Sequence, residues 1–416
     1  MLFLRRIIIA AGILVCLFVC APGSAAADLQ YQETVVAGST GDFMLVRHIM
    51  IKGCNYEIGK KIAEIAKKDQ GQVLPVSDTL KNRVRRLYIK KNYPTFYERM
   101  RGVAAGFGLD VEDDRYDFTA LSQGPANPGC SVVYYPPGVT ENKHGILSRN
   151  YDFTTGNFQG RRLKPGQLSA TARPIVFEIY PDNGYPSLFI CAYDMLGGVI
   201  DGINWEGLTV AILAEEESMQ KGAYEPGANE VGLHELASMR YLLDHCKNVK
   251  EAKEAMLALK HYYSFIPCHY IIADKNGDSF IFEFSPARNK TFIIDGKGPQ
   301  CITNHMVALH PHPHQLPVGN SFERFRTLYN ATTSEKTFSL SRIKSINASV
   351  AVHPYFPADP GQAPGRTLWH ALYDTHEKSL SVKFYLGETT DSGDNKKIRL
   401  RYSAYLHFQL KNMKER

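Results

Sequence analysis

Apolar and polar positions follow two different rhythms along the chain, and the change between them falls near position 130. Residues 40–51 are rich in strand formers, and from Asn55 onward apolar side chains recur on one face at helical spacing. Helical patterns also cover 80–91 and 96–106, the second of them after a proline. The first part of the chain is therefore predicted to be one strand followed by helices.

Beyond position 130 the pattern changes to short apolar runs separated by Gly, Pro and Asn turns, which is typical of strands. The predicted strands cover 131–135, 145–149, 174–180, 187–193, 209–213, 269–274, 279–284, 291–294, 349–352 and 381–386. Between them, 232–245 and 249–259 have helical spacing. Strand runs that enclose a helical pair predict a layered α+β domain.

The composition and charge indicate a globular protein and argue against nucleic acid as a partner. A chain of 416 residues with 44% hydrophobic residues can bury a large core, so a globular protein is expected. The net charge of +6 is spread over 48 basic and 42 acidic residues, without a long block of one sign. Nucleic acid is therefore not expected as a partner.

The start of the chain predicts export. Residues 1–27 have a basic start, an apolar run over 7–19 and small residues before Asp28, as in a secretory signal. The mature protein is expected to be secreted or periplasmic, with no stable membrane span after signal removal. An anchor made by an uncleaved signal or by a lipid on Cys20 is disfavoured, because the apolar run is short and a valine precedes the cysteine.

The junction between Gly129 and Cys130 is the main candidate for chemistry. A turn-rich segment, 122–129, leads into it, and a strand follows. A cut at this junction would give Cys130 an α-amino group, which titrates near pH 8 and can act as the general base of its own thiol. The cut would divide the mature chain into 28–129, a helical pro-segment, and 130–416, the catalytic core. The alternative is that Cys130 is a buried structural thiol.

Two kinds of side chain are expected to support this nucleophile. Arg149 and Asp152 lie on a strand that can return beside Cys130, so one can stabilise the thiolate and the other can orient the new amine. Asn204 and Asn304 stand at strand or turn edges, where an amide can donate to a tetrahedral oxyanion. An ordinary ion pair and two turn asparagines are the alternatives.

No metal site is predicted. The six cysteines beyond the signal form no CxxC pair, and their disulfide pairing cannot be assigned from the sequence. His310, His312 and His314 alternate with prolines, but no cysteine or carboxylate nearby completes a ligand set. A His-Pro loop is therefore expected there.

Five short motifs occur in a fixed order in the chain: Cys130-Ser131, Ser148-Arg149-Asn150-Tyr151-Asp152, Asn204-x-x-Gly207-Leu208, Thr303-Asn304-His305 and Ser321-Phe-Glu-Arg324-Phe-Arg326. In this order they resemble the choloylglycine hydrolase and penicillin acylase superfamily of N-terminal nucleophile hydrolases. The residues at 53–59, 274–283 and 365–369 are similar to those of one branch of it. That branch holds the acyl-coenzyme A:6-aminopenicillanic acid acyltransferases and linear-amide hydrolases.

The resemblance implies a four-layer αββα sandwich with two antiparallel sheets, and a pro-segment that stays bound after autocleavage. It also implies a function for each candidate side chain, with Arg324, rather than Arg326, as a further charge near the thiol. The implied site residues are Cys130 as nucleophile, Arg149 and Asp152 as its electrostatic partners, Asn204 and Asn304 as oxyanion donors, and Arg324.

The function expected from these features is a self-processing cysteine amidase that hydrolyses a linear N-acyl amide without a metal or an organic cofactor. The residues leave open acyl transfer from a thioester or amide donor to an amine, and also an unprocessed binding protein of the same fold. They leave the substrate and the formation of homo-oligomers open as well.

Overall fold

The computed structural model describes residues 29–70, 73–121, 129–157, 159–220, 231–264, 266–285, 288–390 and 397–412. The predicted signal and positions 122–128 of the turn-rich segment lie outside these ranges. Within them, no helix combines the length and the apolar character needed to cross a membrane.

The strands and helices have the following bounds. The strands are β1 (Gln30–Gly38), β2 (Leu45–Gly53), β3 (Gly129–Tyr135), β4 (Ile146–Thr154), β5 (Ile175–Pro181), β6 (Ser187–Cys191), β7 (Asp201–Asn204), β8 (Thr209–Ala214), β9 (Leu233–His234), β10 (His261–Tyr262), β11 (Cys268–Ala273), β12 (Ser279–Ser285), β13 (Lys290–Asp295), β14 (Gln300–Ile302), β15 (Gly365–Asp374), β16 (Ser379–Thr390), β17 (Ile398–Tyr402) and β18 (Leu406–Gln409). The helices are α1 (Asn55–Gln70), α2 (Thr79–Asn92), α3 (Pro94–Gly106), α4 (Glu216–Gln220), α5 (Glu235–His245), α6 (Val249–Ala258), α7 (Asn320–Thr333) and α8 (Leu340–Ala348).

Most strands belong to two large sheets. The first sheet has nine strands in the order β1-β2-β5-β6-β7-β8-β11-β12-β13, and the second has seven, ordered β14-β3-β4-β15-β16-β17 with β18 also paired to β16. All neighbouring pairs in the two sheets are antiparallel except β2 with β5. The expected antiparallel sheets are therefore confirmed, with one parallel pair that joins the N-terminal segment to the rest of the chain.

The sheets face each other, and helices cover both outer sides. Cys130, Val132 and Tyr134 point from β3 into the main core, where β3 contacts β8 of the first sheet. Val133 and Tyr135 point the other way, into a smaller core under α7 and α8. On the far side of the first sheet, α1 contacts β2 and α5 contacts β7 and β8. The result is the predicted four-layer αββα arrangement.

The strand predicted over 349–352 is wrong. These residues form the turn that follows α8, and Val350 from this turn closes the smaller core. A run of four residues is too short for hydrophobic periodicity to distinguish a strand from a buried turn.

Candidate functional site

The hairpin of β3 and β4 places the first three candidate residues. Its register pairs Gly129 with Asp152 and Cys130 with Tyr151, while Arg149 lies opposite Val132. Because successive side chains of a strand point to opposite faces, Cys130 and Arg149 face the space between the sheets and Asp152 faces the side of α8. One face of the hairpin thus carries the thiol of Cys130, and the opposite face carries the carboxyl group of Asp152.

The thiol of Cys130 is fully buried against Arg149, whose Nη2 donates to Sγ at 3.1 Å. The same guanidinium donates to the carbonyls of Ile200 and Ile212, each at 2.7 Å, and to Asp201 Oδ2 at 2.7 Å. Burial raises the pKa of the Cys130 thiol, and the positive charge of Arg149 opposes that rise. Arg149 is therefore rigidly held where a thiolate would need a counter-charge.

Asp152 lies beside the backbone of the junction. A β-carbon added at Gly129 would lie 3.4 Å from the Cβ of Asp152. Thr367 donates to Oδ1 at 2.6 Å, whereas the buried Oδ2 has no hydrogen-bond partner among the described residues. Burial raises the pKa of Asp152 to about 6, against the lowering effects of Arg324, Thr367 and Arg149. One carboxylate oxygen is thus available next to the position where an amine would form.

Asn304 and Arg324 contact the backbone of Cys130. The peptide N–H of Cys130 donates to Asn304 Oδ1 at 2.8 Å, and Arg324 donates to the same oxygen at 2.8 Å and to the carbonyl oxygen of Cys130. Asn304 Nδ2 donates to the carbonyl of Ala214 at 2.9 Å. Arg326, two residues further along α7, donates instead to the carbonyl of Leu316 at 3.2 Å.

Asn204 requires a correction, because its side chain is committed to backbone groups elsewhere. Its Nδ2 donates to the carbonyls of Leu243 at 3.1 Å and Cys246 at 2.7 Å. Its Oδ1 accepts the N–H groups of Glu206 and Leu208, each at 3.1 Å. Both amide hydrogens are used, so Asn204 fixes the turn after β7 and has no donor left for an oxyanion.

Several supporting residues were not predicted from the sequence. Asp201 holds Arg149 and also accepts from Trp369 Nε1 at 3.3 Å and from the Tyr373 hydroxyl. Thr367 holds Asp152, as described above. Thr367 lies within the segment 365–369 noted in the sequence, and Asp201 lies three residues before the motif that begins at Asn204, but a motif does not tell which neighbouring side chains face the site.

A second supporting pair lies behind Asn304. His269 contacts the carbonyl oxygen of Thr303 at 2.6 Å through Nε2 and Glu283 Oε1 at 3.0 Å through Nδ1. Glu283 also accepts the N–H groups of Val307 at 2.8 Å and Ala308 at 2.9 Å. These bonds fix the backbone on both sides of Asn304.

A small apolar cavity of about 40 Å³ lies next to Arg149 between the sheets. It is lined by Arg149, Tyr151, Tyr193, Ile200, Ile212, Ala214, Glu235, Leu236, Ile266 and Cys268.

The six cysteines beyond the signal are free, so none of them is held in a disulfide. Among the residues that the structure describes, no group of three or more His, Cys, Asp or Glu side chains is arranged to hold a metal ion.

Comparison with known proteins gives one family and several similar folds. Residues 139–391 match the family model of acyl-coenzyme A:6-aminopenicillanic acid acyl-transferase. A mutant of the conjugated bile acid hydrolase from Clostridium perfringens is 15% identical, with a TM-score of 0.45 over 65% of this chain and 92% of that one. Penicillin V acylase from Agrobacterium tumefaciens is 20% identical, with a TM-score of 0.39 over 61% of this chain and 82% of that one. Because both TM-scores are low, the assignment rests on the family model, which covers more than half of the sequence: the chain belongs to the acyl-coenzyme A:6-aminopenicillanic acid acyl-transferase family.

Proposed function

We propose that this protein is an exported, self-processing cysteine amidase that hydrolyses linear amide C–N bonds. The observation that carries the proposal is the convergence of three side chains on Cys130, with a fourth beside the residue that precedes it. Arg149 contacts the thiol of Cys130, Asn304 and Arg324 contact its backbone, and Asp152 lies opposite Gly129 across the hairpin. A merely structural cysteine needs no such set of charged partners.

Processing would use the thiol of Cys130 itself. The sulfur attacks the carbonyl carbon of Gly129 and the C–N bond to Cys130 breaks, while the nitrogen keeps its own hydrogen, takes the proton of the thiol and becomes an amine. Water then hydrolyses the resulting thioester, which frees the thiol and leaves a carboxylate on Gly129. Asp152 and the Oδ1 atom of Asn304 are the groups placed to bind the new ammonium.

Turnover would repeat the same chemistry on an external amide. The free amine takes the proton of the thiol, Arg149 stabilises the thiolate, and the sulfur attacks the amide carbonyl to form an acyl-enzyme. Of the two predicted asparagines, Asn304 is the one that contacts Cys130, and its Oδ1, which accepts the Cys130 N–H, would orient the free amine during turnover. The apolar cavity beside Arg149 is the candidate place for an apolar part of the acyl group.

Acyl transfer is the second candidate, and the matched family favours it by its description. In that reaction an amine, instead of water, takes the acyl group from Cys130. The chemistry up to the acyl-enzyme is the same for hydrolysis and transfer. One test of processing therefore applies to both candidates, and an activity assay distinguishes them.

The test of processing is N-terminal sequencing and intact mass of the purified protein. We expect two fragments, the second of which starts at Cys130, and a single intact chain for Cys130→Ala. Cys268→Ala is the matched control, because Cys268 is also a buried thiol beside Arg149 and should not affect cleavage. An intact wild-type chain would contradict the proposal and favour an unprocessed binding protein, whereas normal cleavage in Cys130→Ala would show that the thiol of Cys130 does not make the cut.

The assay that separates hydrolysis from transfer uses the processed protein. Penicillin V, glycine-conjugated bile acids and N-acyl amino acids test the amidase. Acyl thioesters offered with an amine test the transferase. Acid release from an amide, abolished in Cys130→Ala, supports the amidase; transfer from thioesters without hydrolysis of any amide assigns the second candidate.

A further inference from the structure

A second cavity lies on the face of the β3–β4 hairpin that carries Asp152, between the seven-stranded sheet and the end of α8. Its volume is about 210 Å³, roughly ten times or more what one water molecule requires. It is lined by Asn150, Lys344, Ala348, Ala351, Val352, His353, Pro354, Thr367, His370, Lys383, Leu400 and Tyr402. Since Ala348, His353 and Pro354 are exposed, the cavity opens to solvent on the side of α8.

Two lysines give this cavity its charge. The ammonium groups of Lys344 and Lys383 lie 4.2 Å and 5.6 Å from the ring centre of Tyr405, and Lys383 also lies 5.0 Å from that of Tyr402. Burial and the charge of Lys344 lower the pKa of Lys383. Two cations are thus held over one aromatic ring, where they repel each other.

No acidic side chain compensates these charges within the described part of the chain. The cavity lining contains no Asp or Glu, and neither lysine forms an ion pair with a described carboxylate. Asp152 is not part of the lining; Thr367, which is, donates its hydroxyl to Oδ1 of Asp152. The two positive charges therefore remain available to an external anion.

His370 does not add a third charge. Its Nδ1 contacts the hydroxyl of Tyr405 at 2.6 Å, and its Nε2 contacts the hydroxyl of Ser148 at 3.0 Å. Burial, together with Lys383 and Lys344, lowers the pKa of His370 to about 3, so the imidazole is neutral at physiological pH. Its hydrogen bonds instead fix Tyr405, the ring under both lysines.

We propose that this cavity binds a phosphate group, either free or as the ester of a larger molecule. A phosphate carries about two negative charges near neutral pH and presents several strong acceptor oxygens, which matches two uncompensated ammonium groups. A carboxylate, with one charge, would leave one lysine unpaired. The site is separate from the thiol, because the side chains of Cys130 and Arg149 face the opposite side of this sheet.

The test is titration of the purified full-length protein with inorganic phosphate, followed by calorimetry at low ionic strength. We expect saturable binding that weakens on the order of tenfold in Lys344→Gln and in Lys383→Gln, since each variant loses one charged hydrogen-bond donor to the phosphate. Lys290→Gln is the matched control, because the Lys290 ammonium lies 4.9 Å from the Phe292 ring on the other sheet. That variant should bind phosphate as the wild type does.

Two further arms identify the source of the phosphate and guard against misfolding. Tighter binding of glycerol 3-phosphate than of phosphate would assign an ester, and sedimentation with vesicles that contain phosphatidic acid would assign a lipid headgroup. Lys344→Arg keeps the charge and should keep the binding, which shows that charge, rather than packing, is lost in Lys344→Gln. Absence of saturable binding in all three arms, or unchanged binding in the Lys344→Gln/Lys383→Gln double variant, would overturn the proposal.

Discussion

Asp152 carries a buried carboxyl group beside the peptide bond between Gly129 and Cys130, where ionisation is unfavourable. Its pKa is raised from 3.8 to about 6, chiefly by burial. A carboxyl with a raised pKa stabilises the folded chain fully below the unfolded pKa, and that stability is lost as pH rises through the folded pKa. The unprocessed protein should therefore lose stability between about pH 4 and pH 6 on account of this group.

The unprocessed variant Cys130→Ala allows this loss to be measured. A rise of the pKa from 3.8 to about 6 corresponds to about 3 kcal/mol, so the free energy of unfolding in urea should fall by about that amount from about pH 3 to about pH 7, relative to Cys130→Ala/Asp152→Asn. The double variant cannot ionise at this position and serves as the reference for all other carboxyl groups. If the two curves run parallel, Asp152 has an ordinary pKa and the account of its burial is wrong.

The side chains that lie near Cys130 could be predicted where they are close to it in sequence. Arg149 and Asp152 follow Cys130 on the next strand of a hairpin, so their approach depends only on local register. Asn204 was not predictable, because a turn asparagine and an oxyanion donor look alike until the partners of the amide are known. Residues two positions apart on a helix point in nearly opposite directions. Only the placement of α7 therefore shows that Arg324, and not Arg326, reaches Cys130.

At the scale of elements, α3 and α5 are joined by a buried ionic cluster. Asp244 on α5 accepts from Arg99 on α3 and from Arg240 at 2.7 Å, and the hydroxyl of Tyr93 also donates to it. Burial alone would raise the pKa of Asp244, but Arg240 and Arg99 hold it well below its usual range. The carboxylate is thus the shared acceptor that lets two guanidinium groups be buried between these helices.

Removal of that carboxylate should destabilise the fold. Asp244→Asn leaves two buried cations without a counter-charge, so we expect a loss of about 3–5 kcal/mol in the free energy of unfolding, measured in urea. Asp359→Asn is the control, because Asp359 pairs with Arg161 at the surface and its loss should leave the unfolding midpoint unchanged. Equal midpoints for both variants would show that the buried cluster contributes no stability.

Helices with a clear apolar periodicity were predicted, and strands without alternation of apolar and polar residues were missed. The helices predicted over 80–91 and 249–259 correspond to α2 and α6 within one residue at each end. Strand β1 was missed because it is a largely exposed edge strand with a polar sequence. Strand β15 was missed for the opposite reason, since it is buried on both faces and has no alternation of apolar and polar residues.

At the scale of the whole molecule, the N-terminal segment is built into the sandwich. Strands β1 and β2 form one edge of the nine-stranded sheet, and β2 pairs in parallel with β5 from Arg47 with Ile175 to Gly53 with Pro181. The sequence predicted a strand before the helices but not its partner, because a parallel pair joins segments that are far apart in the chain. The predicted division at residue 130 therefore falls within one folded unit.

This arrangement predicts that the two fragments stay together after cleavage between Gly129 and Cys130. Separation would expose the strand edge of β5, the apolar faces of α1 and α3, and the charges of Asp244 and Arg240, each of which is buried in the intact fold. The processed protein should therefore elute from a size-exclusion column at the same volume as intact Cys130→Ala, and release two fragments only in denaturant. Elution of 130–416 alone in native buffer would contradict this, because it would mean that a seven-stranded remainder of the first sheet is stable without β1 and β2.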